Sequence, residues 1–212
     1  HAGSMLRIKT DGSIPADNPF VAGARGAPEI WSIGHRNPQG AALNRQTGTL
    51  WSVEHGTAGG DEINTPAPGK NYGWPIISYG THYNGAKIGI GTHYPGMEQP
   101  KWFWDPSIAP SGLAHYDGDQ FPKWRGNLFV GALRGAMLVR LKLDGTKIVS
   151  EERLLKRKLK IISFGYSNRS NIKFLKINKF RNFFKIKVKI FDEIKMFDIK
   201  YKYVNYIKNL LA

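Results

Sequence analysis

The chain contains no cysteine, which excludes disulfide staples and thiolate metal sites. It has no apolar run approaching the roughly 20 residues that a membrane-spanning helix needs, so no membrane span is expected. The opening His1-Ala2-Gly3-Ser4 has neither the basic start nor the apolar stretch of a signal peptide, and the missing initiator methionine reads as a processed or truncated start. A different scarcity sets in near residue 156. All 12 prolines, all 6 tryptophans and 23 of the 24 glycines precede it, and Gly165 alone follows. The residues after that seam lack the turn vocabulary of the residues before it.

Charge divides at the same place. The net charge of +15 invites a nucleic-acid reading, yet residues 156–212 carry 16 Lys and Arg against 3 Asp and Glu. Residues 1–155 carry 15 against 13, so no nucleic-acid partner is expected for them. In the last 57 residues Lys, Ile, Phe, Asn and Tyr make up 39, the amino acids of A- and T-rich codons. The expected organisation is a domain over 1–155 followed by a basic Lys/Ile/Phe/Asn-rich tail over 156–212, joined by a frameshift, a read-through or a fusion. Within the tail, Lys185-Ile186-Lys187-Val188-Lys189-Ile190-Phe191 alternates with period 2, as a half-buried strand does. Such a strand can pair with a sheet edge or aggregate. Interleaved basic and aromatic residues also suit a single-strand-binding arm.

Residues 1–155 read as all-β. Leu50–Glu54 follows the turn Thr47-Gly48, Asn127–Val130 follows Arg125-Gly126, and Met137–Leu143 ends at Asp144-Gly145. Weak internal similarity is present. Gly3–Gly12 echoes Gly135–Gly145, and Gly48-Thr49-Leu50-Trp51 echoes Gly126-Asn127-Leu128-Phe129, 78 residues later. That spacing equals about two propeller blades at roughly 40–45 residues each, which predicts three to four blades; a sandwich is the alternative.

Two clusters carry chemistry. In Gly34-His35-Arg36-Asn37-Pro38-Gln39-Gly40, a guanidinium beside a carboxamide forms a donor-rich site for carbonyls or carboxylates, or else an ordinary turn with a solvated charge. In Glu54-His55-Gly56-Thr57-Ala58-Gly59-Gly60-Asp61-Glu62-Ile63-Asn64, glycines expose backbone carbonyls while Asp61 and Glu62 add hard oxygens of the kind Ca²⁺ prefers. An ordinary Gly-rich loop with an acidic edge has the same composition.

These clusters, with Asp11–Phe20, Asn71–Pro75, Gly96–Pro100, Pro106–Gly112 and Trp124–Leu133, resemble the soluble PQQ-dependent sugar dehydrogenases, the glucose/sorbosone dehydrogenase group, and in particular its aldose sugar dehydrogenase branch. The resemblance runs from residue 1 to about 155. It implies part of a six-bladed β-propeller that binds PQQ at the mouth of its channel and oxidises the anomeric carbon of an aldose to a lactone. An external electron acceptor then reoxidises the cofactor. It implies PQQ contacts from Arg36 and Asn37, with Arg36 also stabilising charge on the quinone, and a further PQQ-side position at Arg134, Gly135 and Ala136. It implies Ca²⁺ held by the backbone of Gly56 and Thr57, with Glu62 and Tyr72 at calcium-linked positions. Trp102 and Trp104 either wall the sugar site or pack the core. The family's location implies a periplasmic or secreted protein.

Departures from the family pattern matter as much. None of the six histidines matches the family's catalytic base, and Asp117 stands where some members place a base for a PQQ carboxylate. After Leu155 the expected Arg-x-Arg element gives way to Lys156-Arg157-Lys158. A fragment with weak or no turnover is therefore expected, with a non-catalytic propeller remnant acting as a binding module as the alternative.

Overall fold

A computed structural model describes residues 1–23 and 26–156 throughout, together with the backbone of three strands in the tail. The described residues contain no α-helix and only a short 3-10 turn at Pro122–Trp124. Strands β1 (Ser4–Leu6) and β2 (Ile30–Ile33) pair antiparallel. Strands β3 (Pro38–Asn44), β4 (Thr49–Glu54), β5 (Asp61–Asn64) and β6 (Trp102–Trp104) follow as a four-stranded antiparallel meander. Strands β7 (Pro110–His115), β8 (Leu128–Ala132), β9 (Met137–Asp144) and β10 (Lys147–Leu154) form a second. Strands β11 (Lys160–Ser167), β12 (Ile172–Asn178) and β13 (Lys185–Ile190) form a three-stranded sheet. The alternating tail segment is thus a strand, paired with β12 rather than with an open edge; Phe191 lies outside the described residues.

Each strand predicted from turn residues and alternation is present, and residues 1–155 form three sheets, one of two strands and two of four, at the low end of three to four blades. The reasoning from spacing needs correction. Leu50 and Leu128 both lie on the second strand of a four-stranded sheet, so the 78-residue echo spans one sheet to the next and not two. The difference is the excursion over residues 65–101, which leaves β5 and returns as β6 with only isolated bridges inside it.

The chain divides into two compact units, His1–Pro110 and Ser111–Ala212. In the first, β4 is buried over Trp51–Glu54, with its faces split by chemistry. Trp51 and Val53 point to the apolar side, where Val53 pairs with Ile63 of β5, and all three are fully buried. Ser52 and Glu54 point to the other side, opposite Asn64 and Glu62. In the second unit, β8 is buried along its whole length. Tyr116, Phe129 and Leu138 anchor a cluster completed by Phe121, Trp124, Leu154 and Leu155. Arg140 and Glu152, direct partners across β9 and β10, form an ion pair at 2.8 Å.

Truncating Ile63 to Ala is expected to cost about 2–5 kcal/mol of stability through the cavity it leaves. Ile8, 59% exposed, should tolerate the same change within about 0.5 kcal/mol. Midpoints of chemical denaturation measure both.

Candidate functional site

The site grows from the polar face of β4. Glu54 is buried, and its carboxylate collects three donors. Asn64 Nδ2 donates to Oε1 at 2.8 Å, the backbone N–H of Arg36 donates to Oε2 at 2.7 Å, and His35 Nδ1 lies 3.1 Å from Oε1. The other ring nitrogen of His35 meets Ser32 Oγ at 2.9 Å, so both imidazole nitrogens of this fully buried side chain are engaged. Tyr72 stacks on the His35 ring with centroids 4.6 Å apart. Its hydroxyl donates to the Thr65 carbonyl at 2.5 Å and accepts from the Ala67 N–H at 3.1 Å. Burial pushes that phenol up to about 12, so it stays protonated.

Backbone pairing brings Tyr72 and Trp74 to this place. Tyr72 N–H donates to Ile33 O at 2.8 Å and Trp74 N–H to Gly34 O at 2.9 Å. Gly34 (φ +77°) permits the approach: a Cβ there would stand 2.1 Å from Asn71 Oδ1 and 2.5 Å from Gly73 N.

A small open cleft lies between these segments, lined among others by Arg36, Glu54, Gly56, Glu62, Tyr72 and Trp74. Four of the sequence-predicted residues, Arg36, Gly56, Glu62 and Tyr72, therefore meet in one place. The Arg36 guanidinium lies over the Trp74 ring at 5.2 Å and donates through Nη1 to the His55 carbonyl at 3.2 Å. Its Nε is buried and bonds to nothing. A buried cationic donor without a partner, beside a flat aromatic face, is chemistry suited to a planar anion.

Glu62 faces Glu54 directly across β4 and β5, and the Asn64 amide bridges them, donating to Glu62 Oε2 at 3.0 Å. Burial, then the neighbouring Glu54 carboxylate, pushes Glu62 up to about 8. The carboxyl is consequently protonated at neutral pH unless a cation joins the pair.

The remaining predicted residues are placed differently. Asn37 is exposed, accepting from Gln39 Nε2 at 2.8 Å on its side chain and from His55 N–H at 3.0 Å on its carbonyl. Thr57 donates from its hydroxyl to Thr81 O at 2.5 Å. Arg134, Gly135 and Ala136 form the tight turn between β8 and β9, with φ of +84° at Gly135 and +45° at Ala136. Trp104 is 3% exposed and belongs to the core; Trp102 is half-buried. Asp61, read from the sequence as a hard oxygen for a cation, has its carboxylate saturated. Gly56 N–H donates to Oδ1 at 2.9 Å, and Ser107 Oγ–H, Ile108 N–H and Ala109 N–H donate to Oδ2 at 2.7, 2.7 and 3.0 Å. Among the described residues no group of three or more His, Asp or Glu side chains is arranged to hold a metal ion. A bound Ca²⁺ would therefore lean on backbone carbonyls. Reasoning from sequence missed Glu54, His35 and Trp74; only the alternation of β4, which turns Glu54 to the side opposite Trp51 and Val53, hinted at the first.

The family model described as Glucose / Sorbosone dehydrogenase matches residues 1–163. The chain belongs to this family. Aldose sugar dehydrogenase YliI of Escherichia coli (strain K12) is 45% identical over 155 residues, which cover 72% of this chain and 42% of that protein. The chain thus spans less than half the length of this curated relative. The crystal structure of the soluble aldose sugar dehydrogenase from Escherichia coli in its apo form matches with a TM-score of 0.77 at 40% identity, covering 84% of this chain and 52% of that one. The PQQ-bound aldose sugar dehydrogenase from Streptomyces coelicolor matches at 0.57 and 30% identity, covering 76% and 42%. The fold of this glucose/sorbosone dehydrogenase chain is accordingly all-β, a partial β-propeller. No helix among its described residues is long and apolar enough to cross a membrane.

The Glu62 proton gives a pH signature. Its folded pKa of about 8 lies above the ordinary 4.5, so unfolding releases a proton between those values. The associated stability is fully present below the ordinary value and is lost as pH rises through the folded one. Without added cation, the melting temperature should fall between about pH 5 and about pH 8, and Glu62→Gln should flatten that fall. A slope unchanged in Glu62→Gln would contradict the assignment.

Proposed function

We propose that this chain supplies part of a PQQ-dependent dehydrogenase of aldose sugars, and that the cleft around Arg36 holds the cofactor. The observation that carries the reading is the Arg36 guanidinium, buried at Nε without a partner and placed over Trp74 in a cleft that Gly56 also lines. PQQ is planar and carries carboxylates and a quinone, which matches such a donor and such a face. When bound, PQQ supplies the oxidising quinone that accepts hydride from the anomeric carbon of the sugar, giving a lactone. Arg36 binds and orients the anion and opposes the negative charge that develops on it. Asn37 assists from the same loop. Ca²⁺ would be held by the Gly56 and Thr57 carbonyls, with Glu62 beside it, and would supply Lewis-acid polarisation of the quinone. For Tyr72 the role is narrower than a ligand's, because its hydroxyl is committed to Thr65 and Ala67. Its ring braces His35 and closes one side of the cleft to water.

Both histidines at the cleft are committed to hydrogen bonds within the fold. His35 is engaged at both nitrogens, and His55 Nε2 donates to the Pro110 carbonyl at 2.6 Å. That supports cofactor binding with weak or absent turnover, and it favours the second reading, a binding module without catalysis, should turnover prove absent. The whole protein would be periplasmic or secreted and would pass electrons to an external acceptor. The seam near residue 156 is supported by the change in composition there and by a family match that ends at residue 163.

Titration of the 212-residue chain with PQQ in calcium-containing buffer, followed by absorbance, tests the reading. Saturable binding is expected, and Arg36→Ala should weaken it by about 10- to 100-fold, the worth of a charged hydrogen bond. Dye reduction with aldoses, measured in parallel, should be far below that of a competent enzyme. Binding that is absent, or indifferent to Arg36→Ala, would sink the proposal.

A further inference from the structure

Asp61 is fully buried yet takes no part in lining the cleft. A buried carboxylate is expensive unless donors converge on it, and here four do. They come from two separate stretches of chain. Oδ1 takes the N–H of Gly56, which lines the cleft, while Oδ2 takes the Ser107 hydroxyl and the N–H groups of Ile108 and Ala109. A second tie runs parallel to the first. His55, next to Gly56, donates from Nε2 to the carbonyl of Pro110, next to Ala109. The His55–Gly56 segment is thereby fastened twice to residues 107–110. The same segment presents the His55 carbonyl that receives the Arg36 guanidinium. Contacts at Gly56 leave no slack, since a Cβ there would stand 2.1 Å from Gly59 O and 2.3 Å from Gly60 C.

We propose that Asp61 is a positioning residue for the cleft: by tying the Gly56 turn to the Ser107–Ala109 turn, it holds the His55 carbonyl against Arg36 in the arrangement that takes up the cofactor. This rests on the cleft being the PQQ site. The role is separable from simple support of the fold, because the four bonds divide unequally between the two oxygens. In Asp61→Asn, the amide oxygen can keep the three donors of the 107–109 turn. The amide N–H₂ then confronts the Gly56 N–H, donor against donor, and only the Gly56 tie is lost.

The test is a PQQ titration of the full chain, its Asp61→Asn variant and Ile63→Val, a core change two residues away that lowers the melting temperature without touching the tie. The expected result is that Asp61→Asn raises the dissociation constant by about tenfold or more, while Ile63→Val leaves it at the wild-type value. Equal affinity in Asp61→Asn, or equal weakening in Ile63→Val, would overturn the proposal with the cleft assignment intact. Failure of the wild-type chain to bind PQQ at all would overturn both. Should Asp61→Asn not fold, the wild-type chain decides by amide hydrogen exchange before PQQ is added. Gly56 N–H should be protected far beyond the amide of Tyr83, whose side chain is 82% exposed. Exchange of both at the same rate would show that Asp61 does not preset the turn.

Discussion

Burying Glu54 beside the cleft costs several kcal/mol unless donors meet it, and meeting it dictates the local fold. Three donors arrive from three places in the sequence: the His35 ring, the Arg36 backbone and the Asn64 amide. Each arrival constrains something else. His35, once turned toward Glu54, offers its face to Tyr72. Arg36, once its N–H is fixed, projects its guanidinium over Trp74 and against the His55 carbonyl. Asn64, placed opposite Ser52 by the β4–β5 register, carries its amide to Glu62 as well. One acceptor thus organises a cation, two aromatic rings and a second carboxyl.

The two units solve burial by different means. In the second, the interior is filled with Tyr116, Phe129, Leu138 and their neighbours, with Asn127 among its few buried polar residues. In the first, the interior of the sheet is apolar on one side of β4 and hydrogen-bonded on the other. Polar networks of this sort carry more directional information than packing does, because a donor must point at its acceptor. A cleft that has to present a charged group in one orientation benefits from that rigidity.

Much of this was legible beforehand. Strands β4, β8 and β9 announce themselves because Gly-containing turns bracket runs of alternating or β-branched residues. Arg36 and Gly56 stand out because their motifs are dense and ordered. Glu54 was hidden, since a glutamate at a strand end reads as solvent-facing until its donors, 10 to 19 residues away, are known. Asp61 misled for a related reason: composition shows an oxygen, but only the fold shows that Gly56 and residues 107–109 have already claimed it. The repeat spacing misled because residues 65–101 lengthen one meander without adding a strand inside it.

That excursion also has a kinetic side. Strands β3, β4 and β5 are joined by short connections, so their hairpins can form from neighbours along the chain. Strand β6 has to be recruited across residues 65–101, and closing so long a loop costs entropy before any ladder bond repays it. Within the first unit β6 is therefore the natural last arrival. The contacts that depend on its placement, Phe103 stacked on Tyr79 and Trp104 set opposite Asp61, belong to the end of folding and not to its nucleus.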